Sequence, residues 1–155
     1  MNIPEFLDLA ADIEAVVSDL YHAIAANTSD RPIAQQLEQL ADEELKHANI
    51  LRTGKSYYQS MPDLFVGLMM DESEVREGLK GTVALQTLFS QKRTPLLSQL
   101  QSMLEFERRF ERIHMGASVK VENESMKQLF VSLSTGDHSH ITILKALIDM
   151  LQGKT

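Results

Sequence analysis

Four segments of the chain repeat apolar residues at the three- and four-residue intervals of amphipathic helices. Each stripe contains an acid where an apolar residue would be expected: Glu14, Glu44, Glu107 and Asp137. The neighbour of one of them, Glu43, falls instead on a polar face and is predicted to point to water. Carboxylates are almost never fully buried without compensation of their charge. The pattern therefore predicts helices that surround a compensated cluster of acids.

The predicted fold is all-α, because no segment shows the sustained two-residue alternation of a strand. Gly54 is predicted as the C-terminal cap of the second helix. Thr94 is predicted as the residue that caps the third helix, with Pro95 in its first turn. The four predicted helices span Pro4–Asn27, Pro32–Gly54, Thr94–Ser118 and Asn123–Leu151.

A long connection, Lys55–Arg93, separates the second and third helices and is predicted to contain an extra helix over Glu74–Gln91. A connection of that length places those two helices in the same direction, as in bundles with one crossover. The chain of 155 residues is long enough for a single domain with a sizeable core. The predicted architecture is therefore one domain over 1–155, a four-helix bundle with a long crossover between helices two and three.

Two of the acids are followed three residues later by a histidine, in the units Glu44-x-x-His47 and Asp137-x-x-His140. Residues three apart lie on one helical face, so each unit can offer a carboxylate and an imidazole to one metal. Glu44 follows Glu14 by 30 residues, and Asp137 follows Glu107 by the same interval. Two helical hairpins with one lone acid and one such unit each would supply six ligands, the pattern of di-iron or di-manganese bundles.

These residues give the chain a resemblance to the ferritin-like superfamily, and within it to the rubrerythrin-like di-iron domains. The resemblance covers most of the chain and rests on Glu14 with Tyr21, on Glu44-x-x-His47, on Glu107 and on the helix-four unit. It implies two iron ions, or manganese or another transition metal in their place. The implied metal ligands are Glu14, Glu44, His47, Glu107, Asp137 and His140.

The chain departs from the rubrerythrin-like pattern at three points. Asp137 stands where the helix-four unit usually has a glutamate, which is one methylene longer. Phe110 stands where a second helix-three glutamate is usual, and Glu111 comes one position later. The chain has no cysteine and so lacks the cysteine-ligated rubredoxin domain of full-length rubrerythrins. Electrons would therefore come from a separate donor protein.

The resemblance implies an oxidoreductase that reduces hydrogen peroxide or dioxygen in defence against oxidative stress. Iron oxidation or iron handling is the second hypothesis, because the same ligand set could act as a ferroxidase. A non-catalytic metal-binding helical module is a third. A di-iron oxygenase would need an apolar pocket beside the metals, for which Phe65–Met70 is the candidate stretch.

Three further polar residues are candidates for supporting roles. Tyr21 could hydrogen-bond a ligand carboxylate, and Glu111 or His114 could serve as an outer partner or spare ligand. Each could equally be an ordinary interior or half-exposed polar residue. For the ligand set as a whole, the alternative is a buried polar network without metal. The run Ser134-Thr135-Gly136 could also break helix four in two.

The amino-acid composition limits the kinds of molecule that this protein is expected to bind. The formal net charge of −7 argues against nucleic acid, whose phosphates require a surplus of Lys and Arg. Without cysteine, any metal must be bound through nitrogen and oxygen atoms. The first segment, Met1–Glu14, has no Lys or Arg, and no apolar run approaches a membrane span. The sequence therefore predicts a cytoplasmic protein without a membrane partner, and the bundle class suggests a homodimer.

Overall fold

The computed structural model describes residues 1–69, 71–91 and 94–153. These residues form five α-helices and one short 3-10 helix, Pro62–Phe65, and contain no strand, so the all-α prediction is confirmed. Met70 and Arg93, the ends of two predicted segments, lie outside the described residues. The α-helices are α1 (Ile3–Asn27), α2 (Arg31–Ser60), α3 (Glu72–Ser90), α4 (Leu96–Lys120) and α5 (Glu124–Leu151).

Most of the helices begin after an Asn or Asp residue whose side chain caps the first turn. Asn2 caps α1 in a capping box with Glu5, and Asp30 caps α2 by accepting from the Ile33 amide. Asn123, the predicted start of the fourth helix, caps α5 by accepting from the Ser125 and Met126 amides. These side chains satisfy amide groups that have no partner inside the first helical turn.

α1 and α2 form one antiparallel pair, and α4 and α5 form the other. The direction of the first pair is visible in its contacts. The Ser18 hydroxyl donates to the Ala41 carbonyl at 2.8 Å, whereas Lys55, later in α2, contacts Asp8, earlier in α1. Short loops join the helices of each pair, as is usual for antiparallel neighbours.

Contacts between the two pairs fix their relative direction. Tyr21 of α1 bonds Glu107 of α4, while Glu14, earlier in α1, faces His114, later in α4, so these helices are antiparallel. α2 and α5 are antiparallel for the same reason, because Glu44 faces His140 and Gly54 faces Leu129. It follows that α2 and α4 run in the same direction. The helix between them in sequence, α3, packs against α1 and α4.

The predicted end of the second helix is wrong. α2 continues through Gly54 to Ser60, and the backbone at Gly54 does not have the positive φ of a capping glycine. Instead, Gly54 is buried beside the Leu7 and Leu129 side chains. Contacts beyond it extend the helix, because Lys55 pairs with Asp8 and the Tyr58 ring packs against that of Phe65.

The start of the third predicted helix also differs. Pro95 has an extended backbone and occupies the capping position without a side-chain hydrogen bond, and the helix begins at Leu96. Thr94 does not cap it, because its hydroxyl donates to the Leu88 carbonyl at the end of α3. The extra helix predicted over Glu74–Gln91 is confirmed as α3, which begins two residues earlier.

No helix within the described ranges combines the length and the apolar character that a membrane span requires.

Candidate metal centre

The predicted ligands are all buried and lie together at the middle of the helix bundle. Each of the four helices other than α3 contributes at least one of them. Each acid lies on the apolar stripe of its helix, one turn from apolar residues. Because that whole face of the helix packs into the core, the acid is buried with it. The residues are Glu14 on α1, Glu44 and His47 on α2, Glu107 on α4, and Asp137 and His140 on α5.

The ligand-type atoms of this cluster fall into groups of three whose atoms lie within 4.8 Å of one another. One group holds Glu44, His47 and His140. A second holds Glu14, His114 and Asp137, and a third holds Glu107 with Asp137 and His140. Asp137 and His140 each belong to two groups, so the three groups share residues and form one cluster. We call the seven residues of these three groups the polar cluster.

His140 lies between three carboxylates. Its Nδ1 is 2.7 Å from Glu44 Oε1 and 3.6 Å from Glu107 Oε2, and its Nε2 is 3.0 Å from Glu43 Oε2. Burial alone would lower the pKa of His140, but Glu107 and Glu44 outweigh it and raise the pKa to about 11. The prediction that Glu43 points to water is therefore wrong. Its side chain is only 31% exposed, and its carboxylate reaches the imidazole.

The imidazole of His47, on α2, lies against Gly136 of α5. Its Nδ1 is 3.3 Å from Glu44 Oε2 and 3.7 Å from Asp137 Oδ1. A Cβ atom on Gly136 would lie 2.4 Å from His47 Nε2, far inside van der Waals contact. α5 is unbroken through Ser134, Thr135 and Gly136, so the alternative of two short helices is wrong. Gly136 is explained by the space that the imidazole occupies and not by a helix break.

Tyr21 donates its hydroxyl hydrogen to Glu107 Oε1 over 2.5 Å, deep in the core. Of the two possibilities left open for Tyr21, the structure shows the hydrogen bond to one of the acids. Burial, followed by the charge of Glu107, raises the pKa of Tyr21 well above its ordinary value, so the hydroxyl keeps its proton. Burial and the charge of Glu44 also raise the pKa of Glu107.

Glu14 and Glu44 show how the cluster divides its charge. Burial, followed by the charge of Glu44, raises the pKa of Glu14 well above its ordinary value. Burial acts in the same direction on Glu44, but the imidazoles of His140 and then His47, close to its two oxygens, outweigh it and lower the pKa of Glu44. Neighbouring carboxylates whose pKa values are driven apart are a frequent property of functional sites.

His114 and Glu111, the supporting candidates on α4, have different positions. His114 is fully buried in the polar cluster, with its Nδ1 2.7 Å from Asp137 Oδ2. Glu111 lies outside the cluster and bonds the exposed His138 at 2.8 Å. Of these two alternative candidates, His114 therefore lies among the predicted ligands and Glu111 does not. The interval of seven residues from Glu107 to His114 was the signal for His114, because two helical turns return to the same face.

Seven buried atoms of the polar cluster make no well-aligned hydrogen bond within the protein. An unpaired buried acceptor costs about 1–3 kcal/mol, and charged groups cost more. Seven such atoms in one cluster indicate a bound group, such as a metal ion, that interacts with several of them at once. The atoms are Glu14 Oε1, both carboxylate oxygens of Glu44, His47 Nδ1, His114 Nε2, Asp137 Oδ1 and His140 Nδ1.

These atoms are the types that bind divalent transition metals. Imidazole nitrogen and carboxylate oxygen suit iron, manganese and zinc, and the sequence contains no thiolate to compete. The cluster carries four carboxylates on four helices, which is the charge that two divalent ions would balance. The residues therefore fit a two-metal group.

Comparison of the chain with protein-family models, with curated proteins and with solved structures found no match.

Proposed function

We propose that this protein is a di-iron carboxylate oxidoreductase of ferritin-like fold that reduces hydrogen peroxide or dioxygen. The observation that carries the proposal is one buried cluster of carboxylates and histidines, on four helices, in which seven atoms make no well-aligned hydrogen bond. The helix directions support the fold, because α2 and α4 are parallel and α3 comes between them in sequence. That is the arrangement of bundles with one long crossover.

The residues that would hold the metals are the predicted six: Glu14, Glu44, His47, Glu107, Asp137 and His140. Bound iron would supply the redox couple and the open coordination positions that oxygen chemistry needs. The chain itself fixes the ligands. Glu43 holds the outer nitrogen of His140, and Gly136 makes room for His47. Hydrogen bonds and contacts of this kind orient ligating imidazoles in metalloproteins.

The chain also supplies a hydrogen-bond donor to the cluster. Tyr21 keeps its hydroxyl hydrogen and holds it against Glu107 Oε1. A fixed donor in this position would orient the Glu107 carboxylate as a metal ligand. The 155 residues contain no cysteine to ligate a redox metal, so we propose that the electrons come from a donor outside them.

Burial favours a small oxidant over a large substrate. The most exposed residue among the six predicted ligands is His47, at 8%. Phe65, the first residue of the stretch considered for an oxygenase pocket, packs against Tyr58, which lies eleven residues beyond His47 on α2. Hydrogen peroxide and dioxygen are small enough to reach a site closed to this degree.

The test is oxidation of bound Fe²⁺ in anaerobically loaded protein, followed by stopped-flow absorbance after mixing with peroxide or dioxygen. We expect wild-type protein to oxidise its iron far faster than the same concentration of Fe²⁺ in buffer. Glu44→Ala should lose this advantage, and Glu38→Ala, which removes an exposed acid on the same helix, should keep it. If loaded wild-type protein retains Fe²⁺ in the presence of peroxide, the cluster is a non-catalytic metal site.

A further inference from the structure

His114 is the one residue of the polar cluster outside the six predicted ligands. It lies on α4, fully buried, and faces α1 and α5 across the core. Its Nδ1 is 2.7 Å from Asp137 Oδ2 and its Nε2 is 3.5 Å from Glu14 Oε1. The imidazole thus connects the acid of α1 with the acid of α5.

The two nitrogens of His114 differ in what they bond. A carboxylate oxygen accepts hydrogen bonds, so the Nδ1–H donates to Asp137 and a neutral ring keeps a bare lone pair on Nε2. That nitrogen makes no hydrogen bond, and neither does the Glu14 Oε1 that it faces. An imidazole nitrogen and a carboxyl oxygen, neither of them hydrogen-bonded, therefore face each other inside the core. A cation between them would satisfy both.

The distance between these two atoms suits a shared metal. With metal–nitrogen and metal–oxygen bonds of about 2.0–2.2 Å, two ligand atoms on one ion lie about 3.0–3.5 Å apart. His114 Nε2 and Glu14 Oε1 are separated by 3.5 Å. No change of helix position is needed to bring both atoms into one coordination sphere.

The bond to Asp137 also has the form expected of a ligating histidine. Metal-bound imidazoles usually donate their other ring nitrogen to a carboxylate or carbonyl, which fixes the tautomer and the ring orientation. Asp137 Oδ2 accepts from His114, whereas its Oδ1 is free of hydrogen bonds and lies 3.7 Å from His47 Nδ1. One aspartate therefore orients His114 with one oxygen and presents the other toward the His47 side.

This arrangement accounts for two unusual residues together. Asp137 is one methylene shorter than a glutamate, which leaves space for an imidazole from α4 to meet it in the core. Phe110, one turn before His114 on the same helix, packs edge-on against its ring at a centroid distance of 5.8 Å. The phenyl ring thus helps to hold the imidazole in the orientation that the bond to Asp137 requires.

We propose that His114 is a metal ligand, which binds through Nε2 to the metal that Glu14 also holds, so that three histidines share the two metals. The inference rests on the proposed two-metal site and deepens it. It makes the site asymmetric. One metal has His47 and His140 of the first group beside it, and the other has His114.

The test uses Co²⁺, whose visible absorption reports its ligands, titrated into metal-free protein against a competing chelator. In His114→Ala we expect at least a tenfold weaker affinity for one of the two ions and a changed Co²⁺ spectrum. Added free imidazole should enter the vacated space and restore both. His138→Ala, which removes an exposed histidine from α5, should bind like wild type. Urea unfolding of each metal-free variant checks that the fold is kept.

Two outcomes distinguish this inference from the proposed function. If wild-type protein binds two Co²⁺ ions and His114→Ala matches it in affinity and spectrum, the inference is overturned and the two-metal site stands. If the wild type binds none, both fail. Should His114→Ala not fold, X-ray absorption of the loaded wild type decides the matter. Its imidazole scattering must correspond to three histidines shared between two metals, and a value for two would overturn the inference.

Discussion

Gly136→Ala tests whether the imidazole of His47 can keep its position only because residue 136 has no side chain. The added Cβ would lie 2.4 Å from His47 Nε2 and 2.5 Å from its Cε1. Ordinary contact requires about 3.4 Å or more, so the imidazole has to move by about 1 Å. Metal–ligand distances tolerate only about 0.2 Å, so a displaced His47 should bind metal much more weakly.

The effect on stability combines two opposed contributions. Replacing glycine by alanine within a helix stabilises it by about 1 kcal/mol. Forcing extra volume into a packed core costs about 1–3 kcal/mol. We therefore expect Gly136→Ala to destabilise the metal-free protein by up to about 2 kcal/mol. In a His47→Ala background the clash is absent, and the same change should stabilise by about 1 kcal/mol.

The assay is urea unfolding of the four metal-free proteins of this cycle: wild type, Gly136→Ala, His47→Ala and the double variant. The difference between the two effects of Gly136→Ala should be about 1–3 kcal/mol, as expected of residues in direct contact. If Gly136→Ala stabilises the protein equally in both backgrounds, the glycine is not required by His47. That result would refute the conclusion that the imidazole is the reason for a glycine in the middle of α5.

Four further predictions follow from the contacts of the cluster. Tyr21→Phe should destabilise the metal-free protein by about 1–3 kcal/mol in urea unfolding, because Glu107 loses a buried donor; equal stability would contradict a stabilising role for this bond. Raised pKa values for Glu14 and His140 mean that the folded metal-free protein binds more protons than the unfolded chain. Its stability should therefore fall as pH rises from about 6.5 toward 11, with the His140 contribution present below that window. For the same reason Zn²⁺ loading in weak buffer should release protons, measured with a pH indicator, and a constant pH would count against displacement of these protons by metal. Glu43→Gln should weaken metal affinity by about 10–100-fold in chelator competition, because it changes the partner of the His140 Nε2, and unchanged affinity would show that this partner is dispensable.

The burial of the acids was predictable because a residue within the apolar stripe of a helix must lie on the buried face. Glu14, Glu44 and Glu107 each fall in line with leucine and alanine over two turns or more, and all are buried. Asp137 and His140 were open to a second interpretation, a helix break at Gly136. Local propensity could not decide between the two, because the glycine is required by a side chain from another helix.

The residues that sequence reasoning misplaced or left open depend on contacts between helices. Glu43 lies at the edge of its polar face, and only the position of α5 brings His140 within 3.0 Å of it. His114 and Glu111 both follow Glu107 on α4, yet one meets Asp137 in the core and the other bonds His138 at the surface. The end of α2 was missed for a similar reason. Gly54 is a helix terminator by propensity, but contacts with α1 continue the helix to Ser60.

The measurement that tests the central claim most directly is the metal content per chain of protein purified without chelators and then loaded anaerobically with Fe²⁺. The two-metal site predicts about two transition-metal ions per chain in the wild type. Glu44→Ala should lose most of this metal, and Glu38→Ala, the exposed control on the same helix, should retain it. Wild-type protein that stays empty after loading would contradict the claim, and the cluster would then be a buried polar network without metal.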